Sequence, residues 1–270
     1  MEKLTVIKIG GNVIDHPGDL EVFLRDFATV DGYKVLVHGG GKMATELSAE
    51  LGIEAKLVEG RRITDARNLK IVTMIYAGLI NKNIVAKLQS HQCNAIGLTG
   101  ADGNLIRASK RAVVKNPETG EDLDFGFVGD LDEQSVNAEA LSALLKAGFT
   151  PVFSAITHNG NGQLLNTNAD TIASVISTAM VNNFQTSLIY CFEKPGVLLD
   201  VNDESSFISS LNQNQYFELK HAGQISDGMI PKLDNAFKAL NDGLTEVCIV
   251  KANALPNSNG HNFGTRLILR

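Results

Sequence analysis

Lys8 stands in an otherwise apolar run, Val6-Ile-Lys8-Ile-Gly10-Gly11. An ammonium is costly to bury unless an anion or water meets it. It falls near the carboxyl end of an expected strand, the edge at which open α/β sheets hold ligands. Gly10 and Gly11 follow at once, and only glycine lets backbone N–H groups approach a phosphate closely. A second turn, His38-Gly39-Gly40-Gly41-Lys42, lies between a strand and an amphipathic helix, which makes a nest of donors beside a positive helix end. Three further segments carry candidate groups. Gly60-Arg61-Arg62-Ile63-Thr64-Asp65 offers guanidinium forks for a carboxylate. Asn166-Thr-Asn168-Ala-Asp170 sets two amides and a carboxylate at spacing two before a helix. Ser226-Asp-Gly-Met-Ile-Pro-Lys232 puts a cation in a first helical turn, where it opposes the helix dipole and calls for an anion nearby.

Each segment also has a plainer reading. Lys8 can snorkel beside an ordinary turn, the glycines can serve a tight turn with no ligand, and Arg61 and Arg62 can be a solvated basic turn. Asp170 can cap the helix that follows it, and Lys232 can be an exposed side chain. The second turn has rival functional readings as well. Gly39-x-Gly41-x-x-Ala44 fits a dinucleotide fingerprint with Glu59 near the ribose position, although Glu59 also reads as a loop carboxylate. His38-Gly-Gly-Gly41 resembles a lipase oxyanion loop, but the chain has no G-x-S-x-G elbow. A P-loop is excluded because Met43 follows Gly41-Lys42 and no spaced upstream glycine precedes it. The histidines are scattered with no H-x-x-x-H or H-x-E, so metal sites and Ser/Cys hydrolysis have little support and no metal ligand is assigned.

Short β-branched runs at Leu4–Ile9, Lys34–His38, Asn94–Leu98, Pro151–Ile156, Ser187–Phe192 and Glu246–Val250 predict strands. Helical periodicity predicts Leu20–Thr29, Ala44–Leu51, Asp65–Gln89, Ser135–Ala147, Asp170–Val181 and Met229–Asn241 between them. The alternation predicts an α/β fold, an open αβα sandwich with a mainly parallel central sheet. Residues Ile106 to Val128 break the rhythm around Asn116-Pro-Glu-Thr-Gly120 and read as an antiparallel hairpin excursion. The polar Asn182-Asn183-Phe184-Gln185 divides one continuous domain, 1–270, into lobes 1–182 and 183–270.

The chain has 270 residues, which is one large domain or two lobes of one unit. Its 44% hydrophobic and 20% charged content excludes disordered and fibrous classes. A net charge of −6 argues against a general nucleic-acid partner. Cys93, Cys191 and Cys248 lie far apart with no C-x-x-C, which fits a reducing compartment rather than a disulfide framework. No targeting segment is visible, and the longest apolar helical stretch, about Ile172 to Val181, is too short to span a bilayer. The expectation is a cytoplasmic protein with no membrane partner.

Two lysines, two glycine turns and one carboxylate make a phosphoryl-transfer set without a general base. An alcohol acceptor needs such a base, whereas a carboxylate acceptor is already ionised at neutral pH. Catalysis then reduces to positioning and charge neutralisation.

In their order, Lys8-Ile-Gly-Gly11, His38-Gly-Gly-Gly41, Gly60-Arg-Arg62-Ile-Thr64, Gly162-Gln-Leu-Leu-Asn166-Thr-Asn168-Ala-Asp170 and Ser226-Asp-Gly-Met-Ile-Pro-Lys232 resemble the N-acetyl-L-glutamate kinases of the amino acid kinase family. The resemblance spans nearly the whole chain. It implies phosphorylation of the γ-carboxylate of N-acetyl-L-glutamate by ATP, the second step of arginine biosynthesis. It implies that Lys8 and Lys232 neutralise the migrating phosphoryl group, that Asp170 holds both, and that Gly10, Gly11 and Gly40 line the phosphate. Gly40, Gly41, Arg62, Asn166 and Asn168 would hold the acylated amino acid, with Arg62 on its α-carboxylate. Glu193, Lys194, Pro195, Gly196, Val197 and Leu198, with Gln224, Ile225 and Ser226, fall where the family binds ATP. Glu193 departs from the aspartate common there. Magnesium would ride on the ATP phosphates. The alternatives are N-succinyl-L-glutamate as substrate, or a non-catalytic amino-acid or nucleotide-binding regulator of the same fold. The family resemblance also implies a homodimer formed through the N-terminal lobe. Arginine-inhibited members carry an extra N-terminal helix, and only three residues precede the first expected strand, so an arginine-insensitive enzyme is expected.

Overall fold

The computed structural model describes residues 1–58, 61–116, 119–200, 202–225, 229–255 and 264–269. An eight-stranded sheet is built from β1 (Lys3–Ile9), β2 (Tyr33–His38), β3 (Ala95–Leu98), β4 (Thr150–Ser154), β5 (Gln185–Phe192), β6 (Ser210–Asn212), β7 (Glu246–Lys251) and β8 (Gly264–Ile268). Their order across the sheet is β6-β8-β7-β5-β1-β2-β4-β3. Every pairing is parallel except β7 with β8. The predicted open αβα sandwich is the architecture observed.

The strands are apolar because both faces are covered. Val6, Ile7, Val35, Leu36, Val152 and Leu188 are fully buried. The covering helices are α1 (Gly11–Asp15), α2 (Pro17–Ala28), α3 (Gly41–Glu50), α4 (Ala66–Ser90), α5 (Ala138–Lys146), α6 (Ala169–Ala179), α7 (Gln213–His221) and α8 (Ile230–Asn241). The expected helices recur with ends shifted by a few residues, where boundaries fray. Gly243, at φ +103°, follows the end of α8, where a left-handed residue stops a helix.

Helix α4 corrects one expectation. At 25 residues it is, among the described residues, the one helix long and apolar enough by length and composition to cross a membrane, whereas the sequence points to 172–181 as the longest apolar helical stretch. Its buried Ile71, Val72, Ile75, Ile80, Ile84 and Leu88 belong to the main core, which makes it a core helix. Its middle, Thr73–Ile80, is wound as a π-helix, a form that concentrates near functional sites.

The excursion after Ile106 contains two antiparallel pairings, Ser109–Lys110 with Val128–Asp130 and Val114–Lys115 with Asp122–Leu123. The first pair continues into a four-stranded side sheet with Leu164–Thr167 and Ile156–His158. This side sheet delivers Asn166 to the edge of the main one.

Helix α1 and helix α7 were not expected. Helix α7 is polar, with Tyr216 its buried residue, so it shows little helical period. Its readable signal was the capping box formed by Asn212 and Gln215.

Candidate active site

Strands β1, β2 and β5 end side by side, with Lys8 paired to Val37 and Tyr190, and Ile9 to His38 and Cys191. Both glycine turns leave from this edge into helix starts, Gly11 opening α1 and Gly41 opening α3. Unpaired N–H groups and positive helix ends therefore gather where Lys8 emerges. Gly10 plays a narrower part than the sequence suggested. Its N–H donates to Cys191 O at 3.0 Å and so does not face the site. Gly40 is required for space and conformation together. Its φ is +149°, and a Cβ there would strike Ile80 Cδ1 and come within 3.1 Å of the Tyr76 ring.

Asp170 stands between the two lysines. Lys8 Nζ lies 2.8 Å from its Oδ1 and Lys232 Nζ 3.8 Å from its Oδ2. The Oδ1 contact is a charge contact rather than an aligned hydrogen bond, which leaves that oxygen otherwise unpartnered. Burial pushes the Asp170 carboxyl upward, but the Lys8 and Lys232 charges outweigh it and hold the group below the usual carboxylate range. The carboxylate is thus ionised and the lysines share its charge. Asp170 is not the cap of its helix. Asn168 takes that role, accepting the Thr171 N–H at 3.0 Å, and Asp170 is freed to face the lysines.

Phe192, at the end of β5, was missed by the sequence reading. Lys8 Nζ lies 5.4 Å and Lys232 Nζ 5.1 Å from its ring centroid, so one aromatic ring serves both ammonium groups. The available signal was an aromatic residue at the carboxyl end of a strand adjacent to the lysine strand.

Beside the second glycine turn, Arg62 Nη2 donates to Gly41 O at 3.0 Å and Thr45 Oγ1 at 2.5 Å. Its Nη1 is buried and makes no aligned hydrogen bond, with the Tyr76 hydroxyl close to the guanidinium. A buried guanidinium nitrogen without an acceptor is costly, and a ligand carboxylate would satisfy it. Asn166 Nδ2 donates to Thr64 Oγ1 at 3.0 Å, which ties the side sheet to the Arg62 segment. Asn168 is exposed, with its carbonyl engaged in capping.

On the remaining side, Glu193–Leu198 forms the turn after β5. Glu193 is exposed and borders a cavity of about 310 Å³ with Asn12, Phe192 and Lys251. Lys194 pairs with Glu204 at 3.3 Å. Val197 N–H donates to Thr265 Oγ1 at 2.8 Å, and Gly196 gives that threonine room. Leu198 bridges to Phe207. Ile225 is buried and Gln224 exposed. Ser226, with Asp227 and Gly228, lies outside the described residues, as do Glu59 and Gly60. Among the described residues no group of three or more His, Cys, Asp or Glu could hold a metal ion.

The model of the amino acid kinase family matches residues 3–251. Proteins named acetylglutamate kinase from Cytophaga hutchinsonii and Phocaeicola vulgatus are 55% and 51% identical. The first alignment covers 99% of both chains, and the second covers 96% of this chain and 97% of the other. A crystal structure from Streptococcus mutans UA159 superposes with a TM-score of 0.77 at 25% identity, covering 99% of each chain. Giardia carbamate kinase shares the fold, with a TM-score of 0.69 at 10% identity over 100% of this chain and 99% of that one. A fold that sets two lysines, one carboxylate and two glycine turns at one sheet edge accords with these matches: the chain belongs to the amino acid kinase family.

Proposed function

We propose that the protein transfers the γ-phosphoryl group of ATP to the γ-carboxylate of N-acetyl-L-glutamate, giving the acyl phosphate and ADP. The observation that carries this reading is Asp170 shared between Lys8 and Lys232 at the mouth of two glycine turns. A carboxylate oxygen attacks the γ-phosphorus, the bond to the bridging oxygen breaks, and its electron pair leaves with ADP. No proton has to move, and the set contains no general base. Lys8 and Lys232 neutralise charge on the migrating group, Asp170 keeps them in place, and backbone N–H groups at Gly11 and Gly40 donate to it. Arg62 takes the α-carboxylate through its unpartnered Nη1, with Gly41 and Asn166 beside it. The turn 193–198, with Gln224 and Ile225, holds the nucleotide. Asp170 is saturated by lysines, so a magnesium ion would be held by the nucleotide phosphates, where it supplies charge neutralisation.

We assign residues 1–182 to acceptor binding and 183–270 to ATP. A homodimer through the first lobe suits α4, whose solvent side exposes Met74 and Leu79. The three cysteines are buried and unpaired, which suits the cytoplasm.

The test is ADP release, with hydroxylamine trapping of the acyl phosphate, on N-acetyl-, N-succinyl- and unacylated L-glutamate. The expected result is the highest kcat/KM for the acetyl substrate. A tenfold preference for the succinyl substrate would replace the acceptor, and preference for free glutamate would remove the acyl pocket.

A further inference from the structure

Behind the second glycine turn lies a buried polar pair that neither the lysines nor the substrate contacts explain. His38, the last residue of β2, is fully buried, and Asn81, just past the π-helical part of α4, is 1% exposed. His38 Nε2 lies 3.1 Å from Asn81 Nδ2, and His38 Nδ1 lies 2.9 Å from Gly39 O. The roles of these atoms are fixed by their surroundings. Asn81 Nδ2 also donates to Val152 O at 2.9 Å, while its Oδ1 accepts from Lys82 Nζ at 3.1 Å, so the amide has one orientation. Nε2 must therefore accept. Gly39 O can only accept, so Nδ1 must carry the proton. Burial pushes the imidazole down to about pKa 4, with the Gly39 contact opposing and the Lys82 charge adding, and the ring stays neutral. Gly97, a glycine inside β3, leaves the space: a Cβ there would collide with Asn81 Oδ1.

The consequence lies in one peptide plane. In a trans peptide the C=O of Gly39 and the N–H of Gly40 point in opposite directions. A donor that pulls Gly39 O toward the buried ring turns Gly40 N–H away from it, to the open side of the turn. Among the described residues Gly40 N–H has no protein acceptor. We propose that His38, locked as the Nδ1–H tautomer by Asn81, is a positioning residue that aims Gly40 N–H at the phosphoryl group in flight. The proposal rests on the phosphotransferase reading above.

Two variants separate positioning from packing. His38→Asn keeps a donor near the place of Nδ1, and His38→Gln keeps a polar group near the place of Nε2 but removes the donor to Gly39 O. The expected result is a kcat ten- to a hundredfold lower for His38→Gln, with the acceptor KM within about threefold of wild type, and a kcat within about threefold of wild type for His38→Asn, the range set by loss of one oriented donor. Equal kcat losses in both folded variants would overturn the proposal. Nitrogen-15 spectra of the ligand-free wild-type protein keep the test open if the variants fold poorly. A protonated Nδ1 and bare Nε2 support the assignment, and a protonated Nε2 in an active enzyme overturns it alone. A protonated Nδ1 in a wild-type protein that phosphorylates no glutamate derivative would instead sink the phosphotransferase reading and leave the tautomer assignment standing.

Discussion

The wall we assign to the acceptor and the edge we assign to the nucleotide are built by different means. Along the acceptor wall side chains are tied to one another across the fold: Arg62 to Gly41 and Thr45, Asn166 to Thr64, His38 to Asn81. These contacts join segments far apart in sequence, and the first leaves Arg62 Nη1 buried without an aligned acceptor. Along the nucleotide edge the described contacts are fewer: one buried bond from Val197 N–H to Thr265 Oγ1, and the exposed pairs of Lys194 and Lys251 with Glu204. The lysine–aspartate set stands between the two. A small dianionic acceptor needs fixed charges and forks, whereas a long flexible nucleotide is held by turns and backbone donors along its length. Substitutions should therefore divide cleanly, with KM effects confined to one substrate on each side and kcat effects in the middle.

The largest effects belong to the middle. Lys8→Ala and Lys232→Ala should each lower kcat at least a hundredfold, the scale for removing one oriented charge from a transition state. Their circular dichroism should match wild type. Near-normal turnover in either folded variant would remove the charge-neutralising role. Asp170→Asn should do the same to kcat and also cost about 3 kcal/mol of stability at pH 7, since it strands two partly buried ammonium groups. The sign of the pH dependence follows from the depressed Asp170 pKa. Its contribution is present above the ordinary carboxylate value and disappears as pH falls through the lower folded value. The stability gap between wild type and Asp170→Asn should thus close below about pH 4. A gap that stays constant from pH 7 to pH 3 would mean that the carboxylate does not pair in the folded protein.

Next comes the acceptor wall. Arg62→Ala should raise the acceptor KM by about ten- to a hundredfold, the worth of a charge-assisted contact, and leave the ATP KM alone. Arg62→Lys should not restore it, because a point ammonium cannot fill both the Thr45 and ligand positions of the fork. A rise in the ATP KM instead would place Arg62 on the other side of the comparison.

The same contrast explains what could be read from the chain. The main strands and longer helices were legible because apolar periodicity is a local property, and the parallel sheet followed from their alternation. Lys8, Arg62 and Asp170 stood out because a charge in an apolar run or beside a turn demands a partner. Phe192 and Asn81 did not. An aromatic ring in a strand and an amide in a helix look like ordinary core and surface until strand register sets them beside a lysine and a histidine. The cap of α6 stayed open for a related reason. Asn168 and Asp170 are both good caps, and only the position of the two lysines decides which carboxyl or amide turns inward. Helix α7 was hidden by its polarity, since one buried Tyr216 makes no stripe.

A moderate effect is expected at Gly196. An added Cβ would come within 2.5 Å of Thr265 Oγ1, which braces the turn through Val197, and 3.0 Å of Thr265 N. Overpacking of this kind costs about 1–3 kcal/mol, and if roughly 1 kcal/mol reaches the nucleotide, the ATP KM rises about fivefold. The acceptor KM should hold. A Gly196→Ala protein with a raised acceptor KM and unchanged ATP KM would reverse the assignment of the two sides.

The smallest effect tests how little a surface charge pair contributes at that edge. Glu204 accepts from Lys251 at 3.2 Å and Lys194 at 3.3 Å, and these bonds hold its carboxyl below the usual range. All three side chains are more than a third exposed, so the pairs contribute little and salt screens them. Glu204→Gln has two opposed consequences. It loosens the order of Lys194 beside the 193–198 turn, and it leaves two lysines uncompensated near a site for a polyanion. At low salt the second should prevail, lowering the ATP KM by less than about twofold, and at about 0.5 M salt, where the screening length is only a few ångströms, the difference should vanish. A fivefold rise in the ATP KM that persists in salt would show instead that Glu204 is built into the nucleotide site, and that this edge is wired by side chains as the acceptor wall is.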